Sequence, residues 1–321
     1  MLGSHISRLF SVEKCRNELT SLSQISLLRN LAVFYSFLVK LALAKPTLPM
    51  NPEILNRKGA RKVEDIPQAV LNLLNKGEIE TVNLTEWLAI DHAQLIQTVF
   101  PALGMDWELV ECISNEIALQ KKPSTMSTTK LVGAALYKHY ANTAELDSVL
   151  DKLSSHKSDT IRCYAPFLIG LNESLSISEK LTKALRLVAD KHFGVREVIW
   201  LALRPAIEAD LDEAIEVLTE WTQSEDENVR RFTTEATRPR GVWCKHIERL
   251  KESPEIALPI LEQLKSDTSK YVQDSVGNWL NDASKSKPEF VIKLCDKWSK
   301  LSPTKATEKI VKRAKRSIDK K

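Results

Sequence analysis

Glycine is scarce, at nine residues in 321. Sheets and barrels rich in tight turns need more, and no run alternates apolar with polar residues as a half-buried strand would. The five cysteines, Cys15, Cys112, Cys163, Cys244 and Cys295, stand singly, with no C-x-x-C pair and no histidine at ligand spacing. That pattern argues against structural zinc and against a disulfide framework, and reads as buried reduced thiols in a reducing cytosol. A glycine-rich phosphate loop, an H-E-x-x-H helix and a G-x-S-x-G elbow are all missing. Cys244 and His246 are two positions apart and would diverge on a helix, so they do not form a nucleophile–base pair. Arg29 and Lys40 interrupt any apolar run of membrane length. Net charge is only +4, so the overall balance does not announce nucleic acid.

What the chain does contain is a repeat. Four segments share a polar turn followed by Val/Ile-Arg opening a helix: Lys157–Arg162, Asp190–Arg196, Glu225–Arg230 and, with glutamine for arginine, Asp267–Gln273. Arg162 to Arg196 and Arg196 to Arg230 are each 34 positions; Arg230 to Gln273 is 43, the surplus falling in the Arg240–Pro254 connection. A helix precedes each turn, at Leu146–Ser154, Glu179–Val188, Leu211–Trp221 and Pro254–Leu264, each with apolar residues three and four apart. A fifth unit pairs Pro288–Trp298 with Thr307–Ile318, and Pro254 and Pro288 sit where a first helical turn tolerates a missing N–H. Helix pairs at this period predict an all-α, HEAT-like solenoid with a concave groove lined by the second helices.

We read residues 50–321 as one such domain and 1–49 as an extension unlike the rest. A secretory signal is one reading of Leu31–Ala44. The long, mixed-charge segment before it favours Met50, followed by Asn-Pro-Glu-Ile-Leu, as the natural start. Basic residues gather at Arg57, Lys58, Arg61 and Lys62, and again at Lys305, Lys309, Lys312, Arg313, Lys315, Arg316, Lys320 and Lys321. The latter run is either a footprint for phosphates or a solvated terminal helix.

The richest stretch is Asn228-Val-Arg-Arg-Phe-Thr-Thr-Glu235-Ala-Thr-Arg238-Pro-Arg240-Gly-Val-Trp243, in which Asn228 reads as the helix cap. Counting from the repeated arginine as zero, Glu197 falls at +1, Trp200 and Thr234 at +4, Glu235 at +5, and Arg204 and Arg238 at +8. Counting from Gln273, Asn281 falls at +8 and Asp282 at +9. At about 100° per residue these offsets share roughly a third of the helix circumference. For any one carboxylate, a salt bridge to a neighbouring helix is the plain explanation. Three on one face point to function, because like charges clustered without purpose cost stability. Trp243 follows Pro239-Arg240-Gly241 on a connection, where a ring can be a core plug or an exposed stacking surface.

Three segments carry a family resemblance: Phe193-Gly-Val-Arg-Glu197, Arg231-Phe-Thr-Thr-Glu235-Ala-Thr-Arg-Pro-Arg240-Gly-Val-Trp243 and Ser275-Val-Gly-Asn-Trp-Leu-Asn-Asp282-Ala-Ser-Lys285. Through them the chain resembles the HEAT-like-repeat DNA alkylation repair glycosylases of the AlkC-type branch, over most of Met50 to Lys321. It shows no counterpart of the immunoglobulin-like β-domain that some members of that branch add, and Gln273 and Asn281 depart from the arginines of earlier repeats. The resemblance implies hydrolytic release of cationic alkylated bases (3-methyladenine or 3-methylcytosine type) from duplex DNA, by a cytoplasmic, nucleoid-associated, monomeric protein needing no metal or cofactor and no base flipping. It further implies Glu235 as principal catalytic carboxylate, with Asp282 and Glu197 supporting. Trp243 and Trp200 would contact the lesion, and Arg204, Arg238, Arg240, Lys285 and Arg313 the DNA backbone. A non-catalytic DNA-binding module or a protein scaffold is the alternative; a scaffold predicts apolar patches and no salt-dependent DNA affinity.

Overall fold

The computed structural model describes residues 51–242 and 244–319. The readings of residues 1–49 and Met50, of Trp243, and of Lys320 and Lys321 lie outside the described residues. The chain divides into two units, Met1–Asn56 and Arg57–Lys321. In the first, the described part holds one short helix, α1 (Pro52–Leu55), capped by the Asn51 side chain.

The described part of the second unit is helical, with no strand. Its α-helices are α2 (Gln68–Asn75), α3 (Leu84–Leu88), α4 (His92–Ala102), α5 (Trp107–Ala118), α6 (Thr125–Tyr140), α7 (Leu146–Ser154), α8 (Asp159–Arg162), α9 (Ala165–Gly170), α10 (Ile177–Val188) and α11 (Phe193–Ala209). They continue with α12 (Leu211–Trp221), α13 (Glu227–Ala236), α14 (Glu248–Glu252), α15 (Leu258–Leu264), α16 (Lys270–Ser284), α17 (Pro288–Leu301) and α18 (Lys305–Lys315). First helices α10, α12 and α15 pack in one row; α9, α11, α13, α16 and α18 pack in a second row beside it. This is the expected paired-helix repeat.

Pairing follows from the apolar stripes. On α10, Ile177, Leu181, Ala184, Leu187 and Val188 are buried, and the helix packs on α11, where Val195, Val198, Ile199 and Leu203 are buried in turn. Each fully buried Leu or Ile contributes about 1.5–3 kcal/mol, and Leu203→Ala would cost about 2–5 kcal/mol because the packed site cannot close around the cavity. Two local expectations need correction. The second helix of the Arg162 repeat is split into α8 and α9, because Pro166 opens α9 and has no N–H with which to continue α8. The cap of α13 is Asp226, whose Oδ1 accepts the Asn228 amide at 2.7 Å; Asn228 is already inside the helix.

The second helices of the four repeats from Arg162 to Gln273 begin with the same latch. Six residues before each repeated arginine a side chain accepts the amide two residues on: His156 from Ser158, Asp190 from His192, Ser224 from Asp226, Asp267 from Ser269. The arginine then returns to the carbonyl of that same residue, with Arg162 on His156, Arg196 on Asp190 and Arg230 on Ser224 at 2.6–2.8 Å. Gln273 does likewise on Asp267 at 2.7 Å, so the glutamine preserves the role of the arginine it replaces. The remaining edge of Arg162 grips Asp190 of the next repeat at 2.7 and 3.1 Å, and Arg230 grips Asp267 at the same distances. At the Arg196 level the acceptor position is Ser224, and the rung is missing.

Of the four described cysteines, Cys163 and Cys295 are buried, Cys244 is half-buried and Cys112 is exposed, so the buried-thiol expectation fails for Cys112. Among the described residues no helix is long and apolar enough to cross a membrane.

Candidate functional site

Three successive second helices deliver the three predicted carboxylates to one place. Glu197 sits one turn into α11, Glu235 at the end of α13 and Asp282 near the end of α16. They are joined by cations into a ladder of alternating charge. Arg231 Nη2 lies 2.9 Å from Glu197 Oε1 and 3.6 Å from Glu235 Oε1. Arg238 Nη1 lies 3.4 Å from Glu235 Oε2, and its Nε and Nη2 lie 2.8 and 2.7 Å from Asp282 Oδ2. Lys285 Nζ closes the series 3.1 Å from Asp282 Oδ1. Glu235 and Asp282 are only 4% and 3% exposed, so without these partners their charges would be costly. Burial works against the charge of Arg231 and Arg238. The carboxylates Glu235 and Glu197 around the first, and Glu235 and Asp282 around the second, outweigh it and hold both guanidinium pKa values above the ordinary arginine range.

The scaffold beneath the ladder is hydrogen-bonded throughout. Thr234 and Ser275 hydroxyls meet at 2.6 Å between α13 and α16. The buried Trp279 donates its indole N–H to Thr237 O at 2.9 Å, tying α16 to the end of α13. That helix stops at Ala236, because Pro239 cannot donate to a continuing helix.

Arg204 does not reach the surface as a phosphate contact. It is 3% exposed, and its guanidinium donates to three main-chain carbonyls: Ala236 (3.0 Å), Lys245 (3.0 Å) and Arg238. Its pKa is lowered by burial, an effect that Cys244 and Glu208 only partly offset. Arg204 therefore shapes the connection after α13. Gly241 is required there, since a Cβ at that position would collide with Cys244 Sγ and press on Arg204 Cζ at 3.1 Å. Trp200 is likewise no open stacking surface: it is 3% exposed and donates its indole N–H to Glu197 Oε2 at 2.9 Å. It orients that carboxylate instead.

Arg238, placed at +8 by helical counting, lies beyond the end of α13 and still reaches the site, engaged by acids rather than standing free. Arg240 donates from Nη2 to Ser286 Oγ at 2.7 Å, while its Nε is buried without a partner. Arg313 pairs with Asp274 at 2.8 Å, beside Lys309, which holds the same carboxylate at 2.9 Å. It stands on α18, outside the ladder. Asn281 is buried and holds α18 through Ala314 O, Ser317 and Arg316. Trp243 lies outside the described residues.

Two residues of the site escaped sequence reasoning. Arg231 bridges two of the carboxylates, and Tyr271 presents its ring to Arg231 at 4.3 Å and to Arg196 at 5.5 Å. The signal for Arg231 was in the register: it occupies +1 of its repeat, as Glu197 does one repeat earlier, so the two are stacked neighbours of opposite charge. Nothing comparable marks Tyr271, which acts from two positions before Gln273 on a helix two repeats away from Arg196. Among the described residues no cluster of three His, Cys, Asp or Glu side chains could hold a metal ion.

Comparison with known proteins places this region. Residues 195–312, which include the whole ladder, match the family model described as DNA alkylation repair enzyme. The chain is 42% identical over 120 residues to the uncharacterised protein YhaZ of Bacillus subtilis (strain 168), a match covering 37% of this chain and 33% of that one. Among solved structures it is similar to the Pseudomonas fluorescens alkylpurine DNA glycosylase AlkC bound to DNA containing an abasic site analog, with TM-score 0.55 and 25% identity. That similarity covers 70% of this chain and 60% of that one. It is also similar to AlkD2 from Streptococcus mutans, with TM-score 0.50 and 25% identity over 65% of this chain and 98% of that one. The chain thus spans about a third of YhaZ and 60% of AlkC.

Proposed function

We propose that the chain is a DNA glycosylase of the AlkC type, hydrolysing the N-glycosidic bond of cationic alkylated bases in duplex DNA, a reading supported by the match of residues 195–312 to the DNA alkylation repair enzyme model. One observation carries the proposal: three carboxylates from three consecutive repeats meet in one charge ladder within the matched segment. A scaffold gains nothing from acids facing a phosphate backbone, whereas a base-releasing enzyme needs them.

The chemistry follows from the substrate class. An N-alkylated base such as 3-methyladenine or 3-methylcytosine carries positive charge, which weakens its bond to the sugar. When the C1′–N bond breaks, its electron pair neutralises the departing base and leaves an oxocarbenium-like sugar. A preorganised carboxylate stabilises that cation and accepts a proton from the attacking water. Glu235 is assigned this role, because it lies in the middle of the ladder and its two cation contacts, at 3.4 and 3.6 Å, are the longest in it. Asp282 and Glu197 shape the field on either side. No protein nucleophile is needed, and the assignment requires no extrusion of the base into a deep pocket. Arg240 and Lys285, on the rim of the same region, are the candidate backbone contacts, and phosphates held there position the duplex without reading its sequence. Trp243 is the candidate ring against the lesion.

The test is chromatography of bases released from methylated duplex DNA by the full chain. Appearance of a free methylated base supports the reading and reveals the lesion class. Salt-sensitive DNA binding with no release would favour a non-catalytic binding module.

A further inference from the structure

Glu235 and Asp282 share a single guanidinium. Arg238 holds Asp282 Oδ2 through Nε and Nη2 and approaches Glu235 Oε2 at 3.4 Å through Nη1. The acids lie beneath, with side chains 5% and 4% exposed, and their partners lie nearer solvent: Arg238 is 13% and Lys285 45% exposed. Formally the ladder is neutral, with Glu197, Glu235 and Asp282 balanced by Arg231, Arg238 and Lys285. Two buried carboxylates that share one guanidinium would repel each other uncompensated if that cation left with nothing in its place.

We propose that Arg238 is the specificity-determining residue of the site: a resident cation that only a positively charged base can replace between Glu235 and Asp282, the displaced guanidinium moving onto a DNA phosphate. The inference rests on the glycosylase reading. The three cations of the ladder are not equivalent in this respect. Arg231 is fixed by the Tyr271 ring and by a carboxylate on each side, and Lys285 touches Asp282 alone. Arg238 alone among them bridges Glu235 and Asp282, and it stands past the end of α13, on the connection and not within a helix. A neutral base entering that space would strip two buried acids of their counter-ion with nothing in return. A cationic base restores the balance, and the guanidinium that it expels pairs well with a phosphate. The exchange reconciles a site lined with acids with a polyanionic ligand: on undamaged DNA the acids stay covered, and they open only to the charge that identifies the damage.

Counting phosphate contacts tests this directly, because each one adds about 0.9 to the slope of log affinity against log salt. The probes are two duplexes of one sequence, undamaged or carrying a single 7-methylguanine on a 2′-fluorinated sugar that resists cleavage. The exchange predicts a slope steeper by about one for the lesion duplex with the wild-type chain. Arg238→Gln should make the two slopes equal, and Arg238→Lys, which keeps the charge, should preserve the difference. Equal slopes for the wild type, or a difference that survives Arg238→Gln, would overturn the proposal. Release of methylated base from an ordinary sugar, scored separately, judges the glycosylase reading. Release with equal slopes sinks the exchange alone; no release with unequal slopes sinks the enzyme and leaves the exchange standing.

Discussion

Arg231 joins Glu197 to Glu235 across two consecutive repeats, 2.9 Å from one and 3.6 Å from the other, with its guanidinium over the ring of Tyr271. Arg231→Met should leave two carboxylates sharing too little positive charge, and we expect a loss of about 2–4 kcal/mol of stability together with most of the base release. Tyr271→Phe keeps the ring under Arg231 and should behave as wild type in both assays. Denaturant unfolding and base release, measured on both variants, check this; a fully active Arg231→Met would remove the bridge from the account.

Arg204→Ala separates shape from phosphate binding. It strips the Ala236, Arg238 and Lys245 carbonyls of a buried donor, so unfolding in urea should show a loss of about 2–3 kcal/mol. The salt slope of DNA binding should not change, since Arg204 has no free edge to offer. A slope reduced by about one would return Arg204 to the DNA contacts.

Ser224→Asp should complete the missing rung. The equivalent Asp190 and Asp267 both cap their own turn and grip the preceding arginine, so an aspartate at 224 is expected to do the same with Arg196. The gain should be about 1 kcal/mol in the urea midpoint analysis, limited by the neighbouring Glu225, Asp226 and Glu227. Unchanged or lowered stability would mean that the repeats do not share one latch geometry.

His92 sets an acid limit on the fold. Burial lowers its pKa from 6.5 to about 4 although Asp91 acts the other way, and the neutral ring bonds Tyr164 Oη at 2.7 Å. A depressed histidine pKa means that the unfolded chain binds the proton first. Its stabilising contribution is therefore present above pH 6.5 and is lost as pH falls towards 4, by about 3 kcal/mol at most. Thermal unfolding from pH 7.5 to 4 should show the decline, and His92→Gln should flatten it; an identical decline in the variant would assign the effect elsewhere.

Much of the fold was legible because a repeat writes itself into the sequence. The first helices at Leu146–Ser154 and Leu211–Trp221 coincide with the structure residue for residue, since their apolar stripes are uninterrupted. The pairing partners were less legible. Helical counting brought Arg204 and Arg238 to the same +8 face, yet one is a buried clamp on main-chain carbonyls and the other lies past a helix that has already ended. Position along a helix gives a direction, not a partner. Trp200 was misread for the same reason: its face was right, but Glu197, one turn before it, captures the indole N–H. Tyr271 depends on a contact spanning 75 positions, which no local pattern encodes.

Single-turnover base release by the wild-type chain and by Glu235→Gln, on the same methylated duplex, decides whether Glu235 carries the chemistry. The substitution keeps shape and leaves Arg231 on Glu197 and Arg238 on Asp282, so the fold and DNA binding should persist. The wild type should release the base and the variant should be slower by at least about 100-fold, with binding equal or tighter. Release at the wild-type rate by Glu235→Gln would contradict that role.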